Sequence, residues 1–160
     1  MYHKIIGGND MIEVSIIHNE TEFLEHNQII LLLKDQMEFI GSPKTNQEIL
    51  DIIKLMFKSE QAKLMVIGNQ GHVIGFCFFN IAIGMESAGK YIWINEMHVH
   101  QAYRSKGYGS ILFKELEKWC KENHIVRIMG MMDDTEDRTR KFYEKQNAKI
   151  YKQDIFSLKL

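Results

Sequence analysis

The stretch that most constrains this chain runs from Ile92 to Cys120. An apolar run, Ile92-Trp93-Ile94-Asn95-Glu96-Met97-His98-Val99, reads as a strand. It leads into Arg104-Ser105-Lys106-Gly107-Tyr108-Gly109, and Ser110-Ile111-Leu112-Phe113 then opens a helix. The first turn of a helix has N–H groups without intrahelical acceptors, and its dipole favours negative charge. Gly107 and Gly109 carry no Cβ, so a ligand can approach the backbone closely. Arg104 and Lys106 add two cations at the same place. A strand feeding such a turn is suited to an anion, and a diphosphate is the natural ligand class.

Composition narrows the class. The chain has 160 residues, is 45% hydrophobic, and balances 20 basic against 21 acidic residues for a net charge of −1. One globular domain over residues 1–160 is expected, with residues 1–10 as a loose leader. This balance does not call for nucleic-acid binding. Cys77 and Cys120 lie in apolar or amphipathic runs and read as buried thiols of a reducing compartment. No signal peptide or membrane-spanning run is read, so a cytoplasmic location is the expectation.

Along the chain, Ile12 to Ile17 reads as a strand. Asn19 can cap a helix reaching about Phe39, with Phe23, Ile30, Leu33 and Met37 on one stripe. After Gly41-Ser42-Pro43, Thr45 and Glu48 form a capping box for a helix burying Ile49, Ile52, Ile53 and Met56. Lys63–Ile67 and His72–Ile83 read as a hairpin around Gly68-Asn69-Gln70-Gly71, with Gly75 at a bulge or close approach. The motif helix spans about Gly107 to Asn123, burying Leu112, Leu116 and Trp119. A strand from Ile125 to Met131, a helix capped by Asp134 or Thr135 and reaching about Lys145, and a last strand from Ala148 to Leu160 complete the reading.

The spacing Arg-x-x-Gly-x-Gly after an apolar strand resembles the acyl-CoA binding motif of the GNAT family of N-acyltransferases. A second segment, Phe142-Tyr143-Glu144-Lys145-Gln146-Asn147-Ala148, is similar to the family's Phe-Tyr-Glu-Lys-x-Gly-Phe signature. The resemblance covers Lys63 to Ala148 and is only architectural before that. It implies an α+β fold with a mixed, mainly antiparallel central sheet flanked by helices. It also implies acetyl transfer from acetyl-CoA to a primary amine, of a small molecule or a peptide, by direct attack and without a metal. Arg104, Ser105, Lys106, Gly107, Tyr108 and Gly109 would bind the pyrophosphate. Met97, His98 and Val99 would hold the pantetheine arm on a strand edge splayed from its neighbour. Tyr143 would sit at the coenzyme sulfur as general acid, its bland alternative being a core tyrosine. Homodimers are common in the family. Asn147-Ala148 stands where the family has Gly-Phe, and Glu136 where it often has a coenzyme-contacting asparagine.

Acetyl transfer to an amine also needs a proton acceptor. An amine of pKa about 10.4 is neutral in only about 1 part in 2,500 at pH 7, a handicap of roughly 4.6 kcal/mol. Glu96 interrupts an apolar strand, where a charge is costly unless used or paired. It reads either as the general base or as a structural ion pair or edge residue. Alternation puts His98 on its face, as a second candidate. Asn95 occupies a position where some relatives place a carboxylate. The acidic run Asp133, Asp134, Glu136 and Asp137 reads first as a solvated loop, and otherwise as an attractor for a cationic amine. Two rivals remain. One is a non-catalytic acyl-CoA sensor or interaction module on the same fold. The other is a nucleotide-binding protein, disfavoured because the turn lacks both Gly-Lys-Ser/Thr and Gly-x-Gly-x-x-Gly.

Overall fold

The computed structural model describes residues 2–7, 10–132, 137–152 and 156–158, with the backbone alone over 2–7 and at 10. The chain divides into two compact units, Met1–Gly130 and Met131–Leu160.

The first unit is built on a six-stranded sheet in the order β1-β2-β3-β4-β5-β6. These strands are β1 Tyr2–Gly7, β2 Asp10–Ile17, β3 Ala62–Asn69, β4 His72–Gly84, β5 Gly89–Val99 and β6 Ile125–Gly130. All neighbours pair antiparallel except β5 and β6, which are parallel. The parallel pair needs a crossover, which is α4, Tyr108–Glu122. Strand β1 corrects the expectation of a loose leader over residues 1–10, because Tyr2–Gly7 pairs in register with Asp10–Ser15.

Helices α1 Glu20–Glu25, α2 Gln28–Phe39 and α3 Asn46–Lys58 cover one face of the sheet. Their buried Phe23, Ile29, Leu32, Leu33, Ile49, Ile53 and Met56 form one cluster with Ile17, Leu64, Val66, Val73 and Phe76 of the strands. A single helix from Asn19 to Phe39 was the expectation. The chain instead breaks at His26–Asn27, and the break resets the helical phase. The buried stripe of α2 therefore runs Ile29, Leu32, Leu33, Gln36, and Met37 turns partly outward. The helix stops at Gly41, whose φ of +72° lets Ser42 N–H reach Met37 O at 2.8 Å. In α3 the Thr45–Glu48 box forms in both directions, although Ile52 is exposed.

The β3–β4 turn is a two-residue loop with φ of +51° at Gln70 and +80° at Gly71, the combination that suits hairpin twist. On the other face, α4 buries Tyr108, Leu112, Phe113, Leu116 and Cys120, and Trp119 meets Phe79 edge-on with centroids 5.2 Å apart. Both cysteines are free and buried.

In the second unit, α5 spans Asp137–Lys145. Asn147, at φ +61°, ends it, and Ala148 N–H bonds Tyr143 O at 3.1 Å. The expected caps Asp134 and Thr135 lie outside the described residues, as do Asp133 and Glu136. The expected last strand is not found: among the described residues after Ala148 there is no strand.

Gly75 sits where β4 leaves no room for a Cβ beside β5. A Cβ at this position would lie 2.7 Å from His98 O and 3.0 Å from a Val99 methyl. Gly75→Ala is expected to lower unfolding free energy by about 1–3 kcal/mol, read from the urea midpoint at constant m-value.

Candidate functional site

The site begins with a bulge in β5. Phe79 pairs with Ile94 and Phe78 with Glu96, so Asn95 is an extra residue without an opposite number. Paired residues share a face, and Phe78 and Phe79 point to opposite faces. Ile92 and Ile94 therefore face α4, beside Phe79. Past the bulge Glu96 and His98 face α1–α3, in line with Leu64–Phe78 and Val66–Phe76 respectively. Alternation does place Glu96 and His98 together, as read from the sequence. It is the bulge that turns them away from the face of Ile92 and Ile94.

The same strand loses its second neighbour. The β5–β6 ladder ends at Ile94 opposite Gly130, while β5 continues to Val99 on β4 alone. His100 N–H donates to Ile74 O at 2.9 Å. Backbone direction alternates along a strand, so His98 also turns to β4, and Met97 and Val99 turn to the edge that β6 has left. Val99 O accepts from Arg104 Nε at 2.8 Å. Met97 thus offers its N–H and C=O on an edge with no ladder partner among the described residues.

After β5, a 3-10 turn at Gln101–Tyr103 leads to the glycine turn. Arg104 spans from Val99 O to the ring of Phe39 on α2, 5.8 Å from its centroid. Ser105 and Gly107 have φ of +63° and +89°. Gly107 is the N-cap of α4, with open space where a Cβ would stand. Lys106 Nζ lies 5.6 Å from the ring of Tyr103, which meets Tyr108 edge-on. Tyr108 is buried, and its hydroxyl accepts from Asn69 Nδ2 at 3.0 Å. The turn is thereby tied to the strand before it, to α2 and to the β3–β4 hairpin. Tyr143 belongs to α5 in the second unit, with its ring edge-on to Phe142 at 5.1 Å.

Gln36 is the group that sequence reading missed. Its Nε2 donates to Glu96 Oε2 at 2.8 Å, and its Oε1 lies 2.8 Å from His98 Nδ1. The available signal was a polar residue completing an Ile29, Leu32, Leu33 stripe at helical spacing, visible only once the helix is broken before Gln28.

Burial acts on the two ionisable neighbours in opposite senses, since it disfavours either charge. The Glu96 carboxyl is raised above its ordinary value by burial, against the opposing effect of the Gln36 hydrogen bond. His98 is lowered from 6.5 to about 4 by burial and by the Arg104 and His100 charges, against the pull of Asp35. The unfolded chain therefore binds the His98 proton more readily, and stability from this residue, present above pH 6.5, is lost as pH falls to about 4. In urea titrations the midpoint is expected to fall across that window, and less steeply in His98→Asn.

These features can be set beside known proteins. The family model for the acetyltransferase (GNAT) family matches residues 26–148. A GNAT family acetyltransferase from Staphylococcus aureus shares 19% identity at a TM-score of 0.73, covering 93% of this chain and 98% of that one. An aminoglycoside acetyltransferase from an uncultured soil metagenomic sample, in complex with sisomicin, shares 14% at a TM-score of 0.76, over 93% and 96% of the two chains. A ribosomal-protein-alanine N-acetyltransferase from Brucella melitensis shares 15% at 0.72, over 93% and 99%. A search of curated proteins finds no match. At these identities the solved structures speak for the fold, and the matched residues, which take in the bulged strand, the glycine turn and the tyrosine segment, decide the family: this chain belongs to the GNAT acetyltransferase family.

Proposed function

We propose that this protein transfers an acetyl group from acetyl-CoA to a primary amine by direct attack. The observation that carries the reading is on β5, where an unpaired edge at Met97 and a partly buried carboxylate at Glu96 occur one residue apart. The edge suits a pantetheine arm, which can be bound like an added strand. A Met97 N–H near the thioester would polarise its carbonyl. The N-terminus of α4, capped by Gly107, suits the pyrophosphate, with Lys106 adding charge. The family match crosses both compact units, which favours reading residues 1–160 as one domain.

Of the two base candidates, the electrostatics favour Glu96. A raised carboxylate is a stronger base, whereas an imidazole held near 4 binds protons weakly at neutral pH. Tyr143 is assigned the general-acid role from the family resemblance. A thiol of pKa about 8.5 leaves readily as thiolate, so that help is modest. A covalent acyl-cysteine route has no support, because burial pushes the Cys120 thiol up to about 12 and Cys77 higher still. An amine acceptor agrees with fold neighbours described as acting on aminoglycosides and on a ribosomal-protein alanine. A cytoplasmic location fits the reading, and among the described residues no helix is long and apolar enough to cross a membrane.

Calorimetric titration with acetyl-CoA is expected to show binding to the wild type and none to a folded Gly107→Glu variant. Failure of the wild type to bind would overturn the proposal. With an amine found by a thiol-release panel, Glu96→Gln is expected to lower kcat by about a hundredfold or more, leaving KM for acetyl-CoA unchanged. Unchanged kcat would point to an acyl-CoA sensor or another base. Tyr143→Phe is expected to cost about a hundredfold in kcat, the low side for a general acid.

A further inference from the structure

Gln36 stands between two groups that can each carry a proton, and its amide has two unlike ends. An ionised carboxylate only accepts hydrogen bonds. While Glu96 is ionised, the NH2 end of Gln36 must therefore face Glu96 Oε2, as it does at 2.8 Å. The carbonyl end is then turned to His98 Nδ1, also at 2.8 Å. A carbonyl only accepts, so Nδ1 must carry the imidazole hydrogen and Nε2 the lone pair. Water offers little alternative, since Gln36 is 8% and His98 7% exposed.

We infer that Gln36 is a positioning residue that couples the ionisation of Glu96 to the tautomer of His98. The catalytic side of this rests on the reading of Glu96 as base. In the base-competent state Oε2 is tied to Gln36, so the incoming proton falls to Oε1. A protonated Glu96 presents both a donor and an acceptor, either orientation of the amide then fits, and the tautomer of His98 is released. His98 keeps one hydrogen throughout, and its movement between the two nitrogens takes place by exchange with water during brief openings of the trio.

The charges around this trio allow the coupling to be seen. His98 faces Asp35 on α2, Arg104 at the glycine turn and His100 just beyond its own strand, and burial with Arg104 keeps it neutral down to about pH 4. The tautomer can thus be read above about pH 4, and burial moves the Glu96 titration upward from its ordinary value, away from that of His98.

The test is a long-range 1H–15N correlation spectrum of the full-length protein with 15N-histidine, recorded from neutral to weakly acidic pH. His98 signals are identified by their loss in His98→Asn. The wild type is expected to show the Nδ1–H tautomer alone at neutral pH and a mixture on acidification. Glu96→Gln, whose amide can donate or accept, is expected to show a mixture at every pH. Gln36→Met is expected to lose the Nδ1–H preference. A wild type in the Nε2–H form, or Nδ1–H persisting in Gln36→Met, would overturn the inference. If Gln36→Met does not fold, persistence of a pure Nδ1–H form in Glu96→Gln overturns it equally. In turnover, Gln36→Met is expected to lower kcat about tenfold at unchanged KM for acetyl-CoA. The acidic limb of its pH profile should move to higher pH, because a donor to the ionised carboxylate is gone. Unchanged kcat in Glu96→Gln, together with the expected mixture of tautomers in that variant, would reject the base assignment and keep the coupling.

Discussion

One unopposed residue, Asn95, sets the terms for the rest of the site. With unbroken alternation Ile92, Ile94, Glu96 and His98 would line a single face, and two polar side chains would enter the apolar layer beneath α4. The extra residue divides the strand instead. Its first half supplies isoleucines to one layer, and its second half sends a carboxylate and an imidazole into the other. Bulges are a recurrent way for a sheet to re-aim a side chain without losing its ladder.

Burying two polar groups side by side then poses its own problem. An ion pair is one solution, but burial opposes charge on both partners, raising the carboxyl and lowering the imidazole. The intervening amide of Gln36 offers a neutral solution, satisfying one atom on each without asking either to pair with an opposite charge. This arrangement depends on α2 starting at Gln28. A continuous helix from Asn19 would present a different stripe, and residue 36 would not meet the sheet at this point.

Features decided by neighbours in sequence were legible before the structure. The Thr45–Glu48 box, the Gln70–Gly71 turn and the motif helix all depend on residues within a few positions of each other. Gly75 was readable because a glycine inside a strand usually answers to close approach. Features decided by pairing were not legible. The bulge exists only in the register of β5 against β4, and the parted edge, which the family resemblance implied, is located only where the β6 ladder stops. The partner of Glu96 is sixty positions away on a helix whose phase depends on a break at His26–Asn27. The last strand was read over Ala148 to Leu160, and among the described residues there no strand is found. In the site, the residue types and their strand were legible, and the hydrogen-bond chain joining them was not.

Arg104 has a consequence for the strand edge itself. A strand edge left open for one guest is open in principle to any extended chain, and bare edges are where sheets aggregate. Here the exposed stretch starts at a bulge, which twists it away from flat pairing. At its far end the Val99 carbonyl is already occupied by the Arg104 guanidinium, itself braced on Phe39. Among the described residues, what is left beyond the bulge is the N–H and C=O of Met97, too short an edge to seed a growing strand.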